Sequence, residues 1–559
     1  MTLRDNNLDR LQQGRFDVLI VGGGINGAVC ASALTTQGVR VALIDRGDFA
    51  GETSQHSSNL VWGGIKYLEG AEFGLVRKLC MSRNRLIETY PSSVKEIRFF
   101  TSIEPGFRRS RFTLYAGTQL YWGMGDFFTE PPRLLSRDEI AAEEPIVDVS
   151  RSTGGFEYSD AYLVDNDARF VFNFVRAALD HGGIVANYVE SLGASRDEDG
   201  DWRVRARDVM SGRELQIRSR VLINAAGPWV DPNNRENRIR TRHHHLYSKG
   251  VHLIVERLTE SRRVLTFFAD DGRLFFVIPL GNKSCLGTTD TRVEALPPVV
   301  TPEDRRFILD NVNKRLQLDR PLTEDDIIAE RCGVRPLVVE PGGQSAEEED
   351  HGDWTSLSRK HAIEVDEQAR HVSIFGGKMT DCLNVGEEVA DAVAALGIER
   401  PYRDLRWYGE PPDEIRDEYF HQARLMRLDE MTAPESSEAL STRLWRRYAA
   451  SALSLLEDIR QDPHMAEVLI HGTEYIRCEI HHAARREMIT KLEDFLRRRS
   501  KIALIARKEG IRRAPGLMEA CKILFGDAAR ERFDEYFEEL AARESLAPPA
   551  DHERKAAAG

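Results

Sequence analysis

The amino-acid sequence predicts a mixed α/β chain in three parts: an α/β domain of Rossmann-like type, an α+β domain on an antiparallel sheet, and an all-α C-terminal domain. Three observations carry that prediction. A glycine-rich turn at 22–27 separates a short apolar run from a helical segment; alternating and aromatic strand-like runs recur between about 250 and 280; and beyond residue 400 the pattern is helical almost throughout. A chain of 559 residues is also too long for one hydrophobic core.

Residues 16–21 (FDVLIV) form a continuous apolar run ending in glycines, as a parallel strand buried on both faces requires. A helix is predicted over 25–37 and a second buried strand over 39–44 (VRVALI), completing a β-α-β unit. Residues 220–224 form another strand, running into AAGPW. Residues 251–255 and 273–279 belong to the antiparallel sheet, and 371–375 is a further strand. Gly376–Gly377 then precede a helix continuing through 385–396, and Pro411–Pro412 mark a boundary near 396–412. After it, 486–507 has the apolar spacing of an amphipathic helix, and the tail from 544 to 559 has little to bury and is expected to be disordered. This places a first domain at 15–395 and a helical domain at 400–543. Within the first, the Rossmann-like part is 15–95, 155–245 and 330–395, and the part on the antiparallel sheet about 96–154 and 246–329.

Composition excludes several classes. A net charge of −13 argues against a nucleic-acid binder, since little would neutralise phosphates broadly. The seven cysteines are scattered, without a C-x-x-C pair, so neither a disulfide framework nor a metal site is expected. The first residues lack an apolar signal region, and no apolar stretch approaches the roughly 20 residues that span a bilayer. A cytoplasmic location, in solution or on a membrane surface, is expected.

Gly22, Gly24 and Gly27 form G-x-G-x-x-G directly after the first strand. The first permits the turn, the second admits a pyrophosphate, and the third brings helix and strand together. Asp45 ends the second strand, where a carboxylate accepts hydrogen bonds from a ribose. Residues 46–70 select FAD over a nicotinamide cofactor. They include Thr53, Ser54, Ser58 and Asn59, then Leu60, Trp62 and the pair Gly63–Gly64. Such a segment suits backbone wrapped around a long, permanently bound cofactor, giving an α/β FAD-binding Rossmann-like domain.

Motifs along the chain resemble those of FAD-dependent glycerol-3-phosphate dehydrogenases, of the D-amino-acid-oxidase-like flavoprotein superfamily. They are VGGGINGA (21–28), SSNLVWGGIKYLE (57–69), GGFEYSDAYLVDNDARFV (154–171), NAAGPWV (224–230), KGVHLIV (249–255), FFVIPL (275–280), LGTTDT (286–291), GVRPL (333–337), FGGKMT (375–380) and EMITKLEDFLRRRSKIAL (487–504). The resemblance implies FAD contacts at Ala226, Gly227, Trp229, Gly377 and Thr380 as well. It also implies that Arg335, Lys378 and the Lys66–Tyr67 pair converge on substrate. Four positions depart from the pattern: Asn59 for Lys, Trp62 for His, Lys66 for Arg, and Asp381 opening a stretch that is usually Thr-Tyr-Arg.

Arg335, Lys378 and Lys66 are the candidate anion anchors, because arginine offers a fixed fork and lysine a mobile charge. His252 is the candidate general base, with a polar strand residue as its other reading and Arg335 holding an alkoxide as the alternative chemistry. The adjacent His243, His244 and His245 read as a polar loop, and the acidic run 347–350 as a solvated one. Residues 98–128 combine Arg108, Arg109 and Arg111 with many aromatics, a composition suited to a headgroup region. The expected function is oxidation of sn-glycerol 3-phosphate to dihydroxyacetone phosphate. The expected partners are ubiquinone or menaquinone and the inner face of the cell membrane; a homodimer is left open. Two other readings stand beside it: a flavin enzyme of another small anion, an amino or hydroxy acid, and a flavin-binding assembly protein with little turnover.

Overall fold

Strand β1 (Arg15–Val21) buries Val18, Leu19 and Ile20 completely because it has strands on both sides and helices over its faces. It pairs in parallel with β2 (Val41–Ile44) on one edge and with Glu214–Asn224 on the other. Helix α1 (Ile25–Thr36) links β1 to β2 and packs between helices Asp167–Asp180 and Cys382–Ala395. The computed structural model describes residues 2–104, 110–269, 272–339 and 360–546.

The first sheet runs Ala362–Asp366, His371–Phe375, Glu214–Asn224, β1, β2, Ile184–Ala186, and an antiparallel pair, Val189–Arg196 and Trp202–Asp208, extends from Glu214–Asn224. The second has ten strands among the described residues and is antiparallel there apart from Val264–Phe268, which lies parallel to Val94–Ser102. Its long members are His244–Glu256, paired along most of its length with Ala329–Val339, and Gly155–Leu163, paired throughout with Val94–Ser102.

Three expectations are corrected by the fold. Gly155–Leu163 and most of Ala329–Val339, assigned from sequence to the Rossmann-like part, lie in the second sheet. Their partners are remote in sequence, so local pattern does not reveal the pairing. The amphipathic stretch 486–507 is not one helix. It breaks into the end of helix Arg477–Arg486, a π-helical turn Asp494–Arg499 and a short helix Ile502–Ile505. The break turns Arg497, Arg498 and Arg499 inward onto residues 48–55. The last helix, Ala529–Leu546, enters the segment expected to be disordered; 547–559, the acidic run 347–350, Arg108 and Arg109 lie outside the described residues. Residues Leu3–Gln13, not read as structured, form a helix closed by a Thr2–Asp5 capping box and tied down by an Arg4–Asp208 ion pair.

Candidate active site

The three glycines of the turn have different reasons for being glycine. Gly22 has φ +106°, and a Cβ there would lie 2.5 Å from the Ala225 carbonyl oxygen. A Cβ on Gly27 would lie 1.8 Å from the Gly22 carbonyl oxygen. Gly24 needs neither: its φ is −72°, and a Cβ would touch only Ser54 Oγ, at 3.3 Å. Gly24 is also the N-cap of α1, without a side-chain cap or an acid in the first turn. A helix start with only Ser54 beside its second glycine fits a pyrophosphate. Ser54 Oγ accepts from the Ile25 amide at 3.1 Å. Asp45 accepts from the amides of Gly23 (2.6 Å) and Gly47 (2.8 Å), so its carboxylate braces the turn as well as ending β2.

Residues 48–59 are clamped by the C-terminal helical domain and by strand Ala329–Val339. Asp48 is fully buried between Arg498 (2.7 Å) and both terminal nitrogens of Arg499 (2.8 Å each). Arg497 donates to the Gln55 carbonyl at 2.8 Å, and Thr53 Oγ1 donates to the Val334 carbonyl at 2.8 Å. Arg331 reaches the Ser57 carbonyl and, at 2.7 Å, Asn59 Oδ1. Asn59, expected to face the cofactor, has φ +61°, and its amide binds the Leu163 and Asp165 carbonyls. Its side chain is therefore a structural tie.

The pair Gly63–Gly64 is likewise set by the protein. A Cβ on Gly63 would lie 2.2 Å from Tyr121 Oη, and one on Gly64, where φ is +79°, 2.5 Å from the Tyr67 ring. Beneath it lies a buried network the sequence did not disclose: Asp160 accepts from Tyr121 Oη (2.6 Å) and the Gly63 amide (3.1 Å), with Arg83 alongside at 3.4 Å. Leu60 pairs as a strand residue with Tyr162, and Trp62 Nε1 meets Tyr158 Oη at 3.4 Å. Thr380, expected to donate to the flavin, donates within the chain to the Trp62 carbonyl at 3.2 Å. Ser58, Ala226, Gly227 and Trp229 are half-buried, and the Arg46 guanidinium stacks 3.9 Å from the Trp229 ring.

The candidate anion anchors gather around two centres. Lys378 Nζ donates to Tyr67 Oη at 2.9 Å and lies 4.1 Å from that ring's centroid, while Lys66 Nζ lies 5.7 Å from the same ring. Arg335, in register with Ser248, binds Thr288 Oγ1 (2.9 Å) and Asp290 Oδ1 (3.2 Å). Its guanidinium covers Gly250, where a Cβ would come within 2.2 Å of Nη2. The strand bearing Arg335 passes beside Thr53 and continues against Gly376, so it adjoins both cofactor segment and lysine turn. Asp381 points away from this group: it takes hydrogen bonds from Ser82 (2.9 Å) and Asn384 (2.6 Å) and pairs with His361 at 2.9 Å.

His252, the candidate general base, is a buried strand residue opposite Arg331, and neither ring nitrogen has a hydrogen-bond partner among the described residues. Burial, with Arg335 and Arg331 nearby, pushes the imidazole down to about 3. That keeps the ring in the neutral form a base needs while lowering its strength as a base. Among the described residues no group of three or more histidines, cysteines or acids is placed to hold a metal.

A glycine-rich β-α-β turn with an open second glycine, a clamped wrapping segment and a cationic turn beside it define an FAD-dependent oxidoreductase. Comparison with known proteins agrees: residues 17–357 match the FAD dependent oxidoreductase (DAO) family, and 413–530 the C-terminal domain of alpha-glycerophosphate oxidase. The chain belongs to that family, in its glycerol-3-phosphate dehydrogenase branch. It is 31% identical over 502 residues to glycerol-3-phosphate dehydrogenase of Mycobacterium leprae, covering 89% of this chain and 82% of the relative. It is also 31% identical over 528 residues to glycerol-3-phosphate dehydrogenase 2 of Mycobacterium tuberculosis, covering 93% and 87%. Its fold matches the FAD-complexed glycerol-3-phosphate dehydrogenase of Bacillus halodurans with a TM-score of 0.68, over 96% of this chain and 97% of that one at 23% identity.

Proposed function

We propose that the protein oxidises sn-glycerol 3-phosphate to dihydroxyacetone phosphate and delivers the electrons to a quinone. The observation that carries this reading is the cationic group of Lys378 and Lys66 around Tyr67, beside the Arg335 strand and the cofactor segment. The names of the relatives supply the substrate. When bound, FAD supplies the two-electron hydride acceptor.

The chain's own residues bind and orient. Arg335, its fork fixed by Thr288 and Asp290, offers planar donors for phosphate oxygens. Lys378, steadied on Tyr67, adds a mobile positive charge for the phosphate. The proton of the C2 hydroxyl passes to solvent.

Membrane contact is assigned to an apolar patch. Phe73 and Met81 share one stripe of helix Phe73–Thr89, and Phe112 and Leu120 one stripe of helix Arg111–Met124; all four are exposed, as are Phe127 and Phe128. Arg77 ties the first helix to Asp126 (2.8 Å) beside those phenylalanines. Apolar rings on adjoining helices suit shallow insertion among headgroups, and no described helix is long and apolar enough to cross a membrane.

Anaerobic titration of the holoprotein with a panel of substrates tests the reaction. Glycerol 3-phosphate is expected to bleach the flavin within the mixing time of a turnover, and glycine, proline and lactate to leave it oxidised. Bleaching by an amino or hydroxy acid alone would overturn the assignment.

A further inference from the structure

His245, read from sequence as part of a polar loop, occupies a specific place behind the Gly376–Lys378 turn. Its side chain is fully buried on strand His244–Glu256, packed 5.2 Å from the Phe375 ring. Its Nδ1 meets Asp231 Oδ2 at 2.7 Å, and its Nε2 accepts the Gly376 amide at 3.0 Å. A carboxylate at Nδ1 fixes the proton there and leaves the Nε2 lone pair for the amide. The other side of the same residue is also held: the Gly376 carbonyl accepts from Asn26 Nδ2, in the first turn of α1, at 2.9 Å. Gly377 next to it has φ +107°, and a Cβ would sit 2.9 Å from Asn26 Oδ1. The turn therefore has no freedom at Gly376, and the next side chain, Lys378, is delivered onto Tyr67.

We propose that His245, oriented by Asp231, is a positioning residue that fixes the Gly376–Lys378 turn between the second sheet and the dinucleotide fingerprint, and so sets Lys378 against Tyr67. His245 touches neither Lys378 nor Tyr67; it acts through one backbone amide. Among the described residues His245 Nε2 is the acceptor of the buried Gly376 amide. The catalytic consequence rests on the function proposed above, whereas the structural one does not.

The test compares His245→Leu with His245→Gln in the full-length holoprotein. Glutamine carries an acceptor oxygen near the place of Nε2; leucine fills the space without one. Hydrogen exchange of peptides spanning 374–380 is expected to quicken about tenfold in His245→Leu and to stay within about threefold of wild type in His245→Gln. Turnover of glycerol 3-phosphate should follow the same order, with kcat/KM down about tenfold in the leucine variant, rescued by glutamine, and FAD content unchanged in both. Exchange in His245→Leu within twofold of wild type, or glutamine no better than leucine, overturns the proposal. If His245→Leu yields no soluble protein, Asp231→Asn carries the test, since asparagine no longer enforces the tautomer; unchanged exchange there overturns it equally. A wild-type protein that leaves glycerol 3-phosphate untouched would defeat the functional reading, while the exchange arm would still decide the role of His245.

Discussion

The fingerprint turn and the seam against the C-terminal helices meet on the same segment, residues 45–59, and are held in opposite ways. The turn is neighbouring backbone: Gly22 against Ala225, Gly27 against Gly22, and Asp45 accepting two amides. The seam is buried charge: Asp48 between Arg498 and Arg499, Asp165 between Arg446 and Arg447, and Glu487 on Arg169. The first arrangement costs little desolvation and leaves room for a ligand. The second takes many charges out of water, and its members are stable only together. The turn is therefore expected to govern occupancy by FAD, and the seam the shape of the wrapping segment.

Glycine substitutions separate these roles most sharply. Gly24→Val is expected to purify folded but colourless, because within the protein its Cβ meets only Ser54 Oγ. Gly27→Ala is expected to fail as a fold, since its Cβ would sit 1.8 Å from a carbonyl oxygen. Absorbance at the flavin band and a circular dichroism melt distinguish the two; normal FAD in Gly24→Val would remove the turn from cofactor binding.

On the seam, Asp48→Asn leaves Arg498 and Arg499 without their common counter-charge. Breaking a buried pair from one side costs about 3–5 kcal/mol, read as the fall in unfolding free energy in urea. The carboxylates also set an acid limit. Burial pushes Asp48 up, but Arg499 and Arg498 more than reverse it; Glu487 is likewise brought down to about 2 against its burial, chiefly by Arg169. A depressed carboxyl contributes stability above its unfolded value and loses it as pH falls. The seam should therefore weaken below about pH 4. A flat stability profile from pH 6 to pH 3 would show that these pairs do not act as drawn.

At the anion anchors the expected effect is smaller and kinetic. Arg335→Met should lower kcat/KM for glycerol 3-phosphate by about 2–3 kcal/mol, roughly 30- to 200-fold, with FAD content unchanged. Lys378→Met should act similarly and should lose more on the phosphorylated substrate than on glycerol. Near-normal kcat/KM in both would mean that this group does not read the phosphate.

The same contrast explains what was legible in the sequence. β1, α1, β2 and the three glycines are contiguous, so their periodicity and spacing showed both fold and cofactor; strand 371–375 was read to its ends. The seam was not legible, because Arg497–Arg498–Arg499 look like the polar face of a helix until Asp48, some 450 positions away, is brought to them. Asn59, Gly63 and Thr380 were read as cofactor residues from their motifs, and within the chain they also bind Asp165, Asp160 and Trp62. Motif membership identified the neighbourhood, and only three-dimensional pairing separated side chains that face a ligand from those that build its walls. His245 carried no local signal at all: its meaning lies in Asp231 and Gly376.

A last, smaller effect tests whether a half-open cluster behaves like a weak version of the seam. His361 bridges Asp381 (2.9 Å) and Glu388 (2.8 Å), with Lys78 on the same carboxylates. Burial pulls the imidazole down, but the hydrogen bonds to Asp381 and Glu388 outweigh it and raise it above its ordinary value. Both carboxyls are held below theirs, against burial, with His361 the leading opposing cause. The signs define a window. The raised histidine contributes stability that is complete below its unfolded value near 6.5 and lost as pH climbs through the raised one; the carboxyls contribute above roughly pH 4 and lose it in acid. The cluster should thus stabilise most between about pH 4.5 and 6.5 and relax on the alkaline side, by about 1 kcal/mol or less because Glu388 is partly in solvent. His361→Gln should flatten the fall in thermal midpoint between pH 6 and pH 8.5 while leaving the acid limb, set by the seam, in place. An unchanged alkaline fall in that variant would assign it to another group.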